Sequence, residues 1–489
     1  MILLSFCTAL AGFVLVGALS SLRRRSTATD YLVAGRDVPP WLAALSSAAT
    51  NNSGFMFIGL IGFAWSAGLQ AVWFHVGWML GDWLAWRHAH GRIRRLSGST
   101  GALSLPALIA HQPDGSRSRG LAVAAGGLTT LFLAGYAAAQ LKAGSTTLYA
   151  LLGWSPSIGA VIGAALVVIY CFAGGIRASI WTDAAQSFVM IAAMGAIVTA
   201  CWSTVGSPVA LMEVLTAMDP ALTAVRPQGV APILPLWALG FVVGGFGAVA
   251  QPHIVVRTMA LRSPDDIAET RRWYFAWFVP FSILALLAGL YSRAILPDLD
   301  TLALGANTTN AELALPLLAS SLLPELAVGG VLAAIFAATL STADSQVIAC
   351  TASITQDLAP RWRSSYAAQK LATLTVGAVA LVMALTAPEG VFGLVLVAWS
   401  ALGATLGPLL ALRLAGRHIP PRTGYAMMAA GLATVLVWHY TGLDRVVFKL
   451  VPGVAAASIV FAVARWSATA TGPPRTPPDD TPPRRTNDA

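Results

Sequence analysis

The chain has 489 residues, of which only 10% are charged and 56% are hydrophobic. Soluble globular proteins carry about 25% charged residues, so this composition excludes a soluble enzyme, a disordered protein and a nucleic-acid binder. The net charge of +9 comes from basic residues between apolar stretches, which indicates membrane topology rather than a nucleic-acid partner. We therefore predict an integral membrane protein with the lipid bilayer as its surroundings.

Apolar stretches long enough to cross a membrane recur along the whole chain. A transmembrane helix needs about 20 predominantly apolar residues. About thirteen stretches reach that length, and the predicted spans are 3–22, 41–65, 70–86, 121–148, 156–174, 184–204, 233–256, 273–295, 325–350, 371–387, 390–412, 425–441 and 447–465. The sequence thus predicts an all-α polytopic membrane protein with no room for a large soluble domain.

The basic residues predict the orientation of these spans. Cytoplasmic loops carry an excess of Lys and Arg. With the N-terminus outside and thirteen alternating spans, most of the 30 basic residues, Arg257 among them, fall in the cytoplasm. The basic residues that fall elsewhere are Lys142, Arg226, Arg293, Arg445 and Lys449. We therefore predict an external N-terminus and a cytoplasmic C-terminus.

The two ends of the chain are predicted to differ. In the segment 1–22 the arginines follow the apolar stretch, whereas a signal peptide carries its positive charges before it, so this segment is interpreted as a retained transmembrane helix. The segment 466–489 is rich in proline and polar residues, which predicts a disordered cytoplasmic tail. The four cysteines lie singly in apolar stretches, a pattern that predicts neither a disulfide framework nor a metal cluster.

Two spans contain residues that interrupt a helix. The second has the run Ala49-Thr50-Asn51-Asn52-Ser53-Gly54, and the seventh has Gly244-Gly245-Phe246-Gly247-Ala248 followed by Gln251-Pro252-His253. Paired interruptions in corresponding positions of two halves are typical of inverted-repeat transporters, whose binding site lies near the bilayer midplane. The alternative is close packing of small residues between helices. The pair favours the transporter interpretation.

The ninth span carries hydroxyl groups that suit a cation. Ser341, Asp344 and Ser345 stand at helical spacing on one face, and hard cations prefer oxygen ligands. Carbonyl groups freed at the break in the second span can meet these hydroxyls. The predicted oxygen site consists of Ala49, Asn52, Ala338, Ser341 and Thr342. The alternative is ordinary hydrogen bonding of each hydroxyl to the preceding helical turn.

Charged residues inside the spans are candidates for function, because a charge in the bilayer is costly. Pairing of Asp82 with Arg87 at the cytoplasmic rim is favoured over contact with a solute, and a salt bridge from Asp183 to Arg177 is the alternative to an ion-binding role. Lys142 either snorkels outward or holds a carboxylate group. Asp344 sits deepest, and we predict a functional role for it.

Six motifs of the chain form a pattern by their order and spacing. They are YLVAGRDVPPWLAALSSAATNNSG (31–54), GGIRASIWTDAAQ (174–186), QPHIVVRTMA (251–260), LAAIFAATLSTADSQ (332–346), ITQDL (354–358) and AWSALGATLGP (398–408). Together they resemble the sodium/solute symporter family, and most closely its sodium/proline branch, over residues 31–417.

The resemblance implies a fold. It implies thirteen helices and a leucine-transporter-like core of two inverted repeats of five helices each. On this sequence the first repeat is 41–204 and the second is 233–412, with two further C-terminal helices in 425–465. The location implied is the plasma membrane, which in bacteria is the inner membrane.

The resemblance also implies the ion sites. Sodium is expected to bind the five oxygen-bearing residues predicted above. In some relatives a second sodium is held by positions that correspond here to Asp183, Asp344 and Ser345, together with Ser341. The proline branch has an aspartate where this chain has Asn51, and we expect Asp344 to compensate for the lost charge.

We therefore predict a secondary active transporter that couples sodium to a small organic solute by alternating access. The solute is an amino acid such as proline, or a small carboxylate, because half-helix N-termini carry partial positive charge and Lys142 adds a full one, which favours an anionic or zwitterionic molecule. The seventh-span break lacks the aromatic residues of the proline branch, so we expect a wider or differently shaped pocket. The predicted solute-binding residues are Asn51, Ser53, Trp78, Gln140, Lys142, Phe246 and Trp399.

Alternatives remain at this stage. Asp183 and Asp344 could share a proton, which would make the protein a proton-coupled symporter. A transporter-like sensor and a channel are less favoured. An enzyme is disfavoured because the histidines are scattered and no HExxH, GxSxG or phosphate-loop motif occurs. The oligomeric state stays open.

Overall fold

The apolar stretches of the sequence become helices in the computed structural model, which describes residues 1–22, 24–226, 234–299, 310–386 and 391–470. From residue 471 onward, the predicted disordered tail lies outside the described residues. Within the described ranges the elements are helices, with two isolated β-bridges between loops. The all-α prediction is confirmed.

The first half of the chain forms six spans. They are the first, Ile2–Ser21; the second, Pro40–Gly54 continued by Phe55–Gly59 and Leu60–Ala67; the third, Val72–His88; the fourth, Arg119–Leu152; and the fifth and sixth, which share the helix Pro156–Val205. Shorter helices on the connections include Ala28–Val33, His90–Thr100, Leu105–Ala110 and Pro208–Met218.

The second half forms seven more. They are the seventh, Leu234–Phe246 with Gly247–Ala250 and Pro252–Ala260; the eighth, Ile267–Ile295; the ninth, Glu325–Ala352 with Ser353–Leu358; the tenth, Tyr366–Thr386; the eleventh, Val391–Leu414; the twelfth, Pro421–Tyr440; and the thirteenth, Leu450–Ala470. The helix Ala314–Leu322 lies between the eighth and the ninth.

Helix length accounts for thirteen spans. Nine continuous stretches of the described residues are long and apolar enough to cross a membrane, and a pair bent by 57° in the seventh span adds a tenth. Two of the nine, Pro40–His88 and Pro156–Val205, have 49 and 50 residues. At about 1.5 Å per residue each is more than twice the thickness of the hydrocarbon core. Gly68 (φ 63°) and Gly175 (φ 57°) leave helical geometry, so each stretch divides into two spans. The 20-residue helix Pro421–Tyr440, which is not among the nine, brings the total to thirteen.

The interior of the protein is formed by the spans that carry the predicted site. The second, sixth and ninth spans pack against one another, and the second half of the seventh, Pro252–Ala260, packs against the second and ninth. All of its residues are buried. The two interrupted helices therefore face the hydroxyl-rich ninth span.

Contacts between loops agree with the predicted alternation of spans. Arg36 donates to the Ser97 carbonyl at 2.8 Å, and both residues are predicted on one side. Trp65 donates to the Leu296 carbonyl at 3.0 Å, and both are predicted on the other. Residues that a topology of thirteen spans predicts on the same side of the membrane therefore contact each other in the structure.

Glycines bring the third and seventh spans into backbone contact. A Cβ atom at Gly81 would lie 1.9 Å from the Val242 carbonyl oxygen, and one at Gly245 would lie 2.0 Å from the Trp78 carbonyl oxygen. Small residues allow this approach between membrane helices. The glycines of the seventh span therefore allow close packing between helices, the alternative considered above, and the seventh span is also interrupted.

We expect Gly81→Ala to destabilise the folded protein, because the added methyl group meets a backbone oxygen that cannot move away. Overpacking of this kind costs about 1–3 kcal/mol. The melting temperature of the protein in detergent measures the effect. The control is Gly127→Ala, where the methyl group meets nothing within 4 Å and helix propensity favours alanine by about 1 kcal/mol. Equal melting temperatures for the two variants would contradict the close packing.

Candidate functional site

The second span breaks at Ser53, which has φ 41° and ψ 179° within otherwise helical backbone. A π-helical turn, Phe55–Gly59, follows. The freed backbone groups find partners nearby: Ser53 Oγ accepts the Phe55 N–H at 3.1 Å, and Gln140 Oε1 accepts the Gly54 N–H at 2.9 Å. Non-helical backbone inside a membrane protein requires such partners. The break lies in the stretch where the sequence predicts it.

Oxygen atoms of the second and ninth spans meet just before this break. Ser341 Oγ lies 3.3 Å from the Ala49 carbonyl oxygen and 3.1 Å from the Ala338 carbonyl oxygen. Thr342 Oγ1 lies 3.0 Å from the Thr50 carbonyl oxygen and 3.1 Å from that of Ala338. We call these five residues the oxygen cluster. Each hydroxyl has a single hydrogen to donate and lies within hydrogen-bond distance of one carbonyl oxygen on its own helix and one on the second span.

The oxygen cluster suits a monovalent cation. It contains only neutral carbonyl and hydroxyl oxygens, and each hydroxyl can rotate its hydrogen away and present lone pairs to an ion. Four of the five predicted ligand residues lie in it. The fifth, Asn52, is arranged differently, because its carbonyl accepts the Phe55 N–H and its side chain donates to the Ala48 carbonyl at 2.7 Å. Thr50 supplies a carbonyl that the sequence analysis did not single out.

A buried ion pair lies next to the oxygen cluster. Arg257 Nη2 lies 3.0 Å from Asp183 Oδ2, and both side chains are fully buried. Ser46 Oγ donates to the same carboxylate oxygen at 2.6 Å. The prediction that Arg257 lies in the cytoplasm is wrong, because its helix continues the seventh span into the protein and a carboxylate pairs with it there. Arg177, considered as the partner of Asp183, pairs with Asp30 at 2.5 Å instead.

Asp344 lies in the same group of polar side chains. Its Oδ1 accepts the Ser179 hydroxyl at 2.8 Å and lies 2.9 Å from Ser345 Oγ. Its Oδ2 is buried and accepts no hydrogen bond from the described residues. Arg257 also contacts Ser345 Oγ. The structure thus brings Asp183, Asp344 and Ser345 together, as expected for a second sodium site. The guanidinium group of Arg257, however, contacts Asp183 and Ser345.

A narrow central cavity of about 20 Å³ lies beside the break. Asn51, Trp78 and Trp399 line it, and Tyr136 and Phe278 add aromatic walls that the sequence analysis missed. The rings of Trp78 and Trp399 are 5.1 Å apart between centroids, and Trp399 Nε1 donates to the Gly244 carbonyl at 3.0 Å. This volume holds about one water molecule. The side chains that line the cavity therefore leave little open space beside its polar groups.

The remaining predicted solute residues lie in three places. Ser53 and Gln140 are buried at the break itself. Lys142 is half-buried on the fourth span and is absent from the described lining of the central cavity. Phe246 is 38% exposed and lines a separate, largely apolar cavity of about 350 Å³. Gly244 and Gly245 pack on Trp78, so Phe246 points away from the central cavity.

Asp82 lies next to the central cavity, in contact with the lining residue Asn51, rather than paired with an arginine. Its Oδ2 accepts the Tyr274 hydroxyl at 2.5 Å and an amide hydrogen of Asn51 at 3.3 Å. The favoured pairing with Arg87 is therefore wrong. Sequence spacing could not predict the contact between Asp82 and Tyr274, because Tyr274 belongs to the eighth span and has no sequence feature that distinguishes it from the apolar residues around it.

Comparison with known proteins gives matches over most of the chain. The sodium:solute symporter family profile matches residues 31–419. The sodium/proline symporter of Escherichia coli K12 is 30% identical, covering 94% of this chain and 92% of the relative. The high-affinity proline transporter PutP of Bacillus subtilis 168 is 30% identical over 90% of this chain and 93% of the relative.

Solved structures give the same fold. A sodium-coupled sialic acid symporter in a substrate-bound, outward-open state aligns with a TM-score of 0.72, 21% identity and coverage of 95% of this chain and 97% of that protein. The nucleobase-cation-symport-1 family transporter Mhp1, in a closed conformation, aligns with a TM-score of 0.56 and 14% identity over 90% and 95%. The expected leucine-transporter-like fold is confirmed. The chain is a multi-pass membrane transporter rather than an enzyme, sodium is its coupling ion, and it belongs to the sodium:solute symporter family.

Proposed function

We propose that the chain carries a sodium ion on the oxygen cluster and an amino acid or small carboxylate at the central cavity, which widens to admit the solute, and moves both by alternating access. The observation that supports this most directly is the contact of Ser341 and Thr342 with carbonyl oxygens of the interrupted second span. A cation there touches two helices at once. It therefore responds to any movement of one helix against the other.

Coupling follows from where the ion sits. A ligand shifts a conformational equilibrium only if it binds the two states with different affinity. When the second and ninth spans are in contact, their oxygens surround the ion; when they separate, the ion loses the ligands of one helix. Sodium accordingly stabilises the state in which the spans touch, and the solute binds beside the same break.

The proposed solute is a small molecule with polar ends. The central cavity combines the Asn51 amide with tryptophan and tyrosine side chains, and the helix Pro252–Ala260 begins at the break of the seventh span. Helix N-termini carry partial positive charge, which favours a carboxylate group. Both E. coli and B. subtilis relatives are named for proline, so proline is the first compound to test.

The domain organisation and the orientation are part of the same proposal. Residues 41–204 and 233–412 form the two inverted repeats, each with its interrupted helix in the first span of the repeat. The breaks at Ser53 and Gln251 support this division. The N-terminus lies outside and the C-terminus in the cytoplasm, as the distribution of basic residues indicates.

The cluster of Asp183, Asp344 and Ser345 has a different proposed role from the oxygen cluster. A second sodium there would have to displace the guanidinium group of Arg257 from Asp183 and Ser345. We therefore assign the coupling sodium to the oxygen cluster, and Asp183 with Arg257 to a structural ion pair that joins the sixth and seventh spans.

Sodium-driven uptake into proteoliposomes tests the function. We expect accumulation of radiolabelled proline, or of another amino acid or small carboxylate in a screened panel, when sodium is applied outside. A proton gradient in sodium-free buffer is the comparison, because Asp183 and Asp344 are the alternative coupling groups. Accumulation driven by protons without sodium would overturn the assignment of the oxygen cluster.

We expect Ser341→Ala and Thr342→Ala to raise the sodium concentration for half-maximal uptake by about 10- to 100-fold each, because each removes one ion ligand worth about 1.5–3 kcal/mol. The maximal rate at saturating sodium should change less. Thr375→Ala is the control, since this exposed hydroxyl bonds only within the tenth span. An unchanged sodium dependence in both site variants would contradict the proposed ion site.

We expect Arg257→Met to reduce the amount of folded protein strongly, because it leaves Asp183 buried without its partner. Breaking a buried ion pair costs about 3–5 kcal/mol. Size-exclusion yield and melting temperature in detergent measure the loss. Arg272→Met, at an exposed position of the eighth span, is the matched control. If Arg257→Met folds as well as the control, the ion pair has no structural role.

A further inference from the structure

Asp82 is a buried carboxylate without a counter-ion in the described part of the chain. It lies on the third span with 1% of its surface exposed, and no described Arg, Lys or His nitrogen lies within 4.0 Å of it. A carboxylate at this depth is costly and is by default functional.

Asp82 and two neighbouring side chains, Tyr274 and Asn51, form one closed set of hydrogen bonds. Tyr274 donates its only hydroxyl hydrogen to Asp82 Oδ2 at 2.5 Å. The contact of 2.6 Å between Tyr274 Oη and Asn51 Nδ2 must therefore use a hydrogen of the amide. Asn51 Nδ2 also lies 3.3 Å from Asp82 Oδ2. A carboxylate only accepts hydrogen bonds, so the reversed amide would place two acceptors against each other.

This fixes the direction of the Asn51 amide. Its NH₂ group faces Asp82 and Tyr274, and its oxygen Oδ1 is left buried without a hydrogen bond from the described residues. Asn51 lines the central cavity beside Trp78 and Trp399, whereas Asp82 does not line it. A buried acceptor without a donor is costly. A solute that donates a hydrogen bond to Oδ1 would remove that cost.

We propose that Asp82, acting through Asn51 and Tyr274, makes the central cavity selective for a solute that carries a protonated amine. Asn51 Oδ1 accepts an N–H of that amine, and the unneutralised charge of Asp82 behind it attracts the positive nitrogen. Asp82 is a positioning residue in this scheme. The inference rests on the proposed function and narrows its solute class to amino acids, against simple carboxylates.

The first part of the test compares pairs of compounds in which one member has an amine nitrogen and the other lacks it. L-Proline is paired with cyclopentanecarboxylate, and L-alanine with propionate. Sodium-driven uptake by the full-length protein in proteoliposomes is measured for each radiolabelled compound. We expect uptake of at least one amino acid to exceed that of its partner by tenfold or more. Equal uptake, or preference for the carboxylate, overturns this inference and leaves sodium-coupled transport intact. No sodium-driven uptake of any compound overturns both.

The residue arm exchanges the amide and the carboxylate between the two positions. Asp82→Asn removes the charge that attracts the amine, so it should lower the amino-acid preference about tenfold through the KM. The double variant Asn51→Asp with Asp82→Asn restores one amide and one carboxylate, and should return the preference to within about threefold of the original. A purely structural role would not give this recovery. A double variant no better than Asp82→Asn alone overturns the role of Asp82.

Two further variants protect the test against folding defects. Asp357→Asn removes a carboxylate that is equally buried but pairs with Arg117 at 3.0 Å outside the cavity, and it should leave the preference unchanged. Tyr274→Phe keeps Asp82 and removes one anchor of the amide, so it should lower the preference even if Asp82→Asn gives no folded protein. An unchanged preference in Tyr274→Phe would overturn the proposed orientation of Asn51.

Discussion

Backbone groups released at Ser53 must find partners inside a membrane protein, and the site is organised around those partners. The helix of the second span stops at this residue, and a glutamine from the fourth span takes the next N–H. Just before the break, the carbonyls of Ala49 and Thr50 lie against hydroxyls of the ninth span. In lipid an unsatisfied backbone group costs several kcal/mol. The break therefore requires its hydrogen-bond partners, and the break, these partners and the oxygen cluster depend on one another.

Much of the architecture could be predicted because it depends on properties that act along the chain. The thirteen spans follow from the length of apolar stretches, and the breaks follow from poor helix formers at 49–54 and from the Gly-Gly and Gln-Pro steps of the seventh span. The meeting of Ala49, Ala338, Ser341 and Thr342 was expected from helical spacing together with the family resemblance. Asn52 was expected among the carbonyl ligands, and the structure brings Thr50 to that place instead.

The sequence could not predict which way side chains point where two helices meet that are distant in the chain. Arg257 was assigned to the cytoplasm because counting basic residues does not detect a carboxylate on another span; Asp183 lies 3.0 Å from it. Asn51 was interpreted as a lost charge for which Asp344 compensates. The carboxylate beside that amide is Asp82, held by a tyrosine of the eighth span. Phe246 was placed in the cavity although the glycines before it occupy that face of the helix.

The order of residues along the second span connects the proposed ion site to the proposed solute site. The Ala49 and Thr50 carbonyls belong to the oxygen cluster, and Asn51, the next residue, turns its amide to Asp82 and Tyr274 and lines the cavity. In the proposed binding mode, one helical turn therefore carries ligands for both the ion and the solute. An ion that holds the carbonyls in place also holds the amide, and a solute bound to the amide restrains the carbonyls. Coupling between two binding sites is reciprocal by thermodynamic necessity, and a shared turn of backbone next to a break provides it without any longer pathway through the protein.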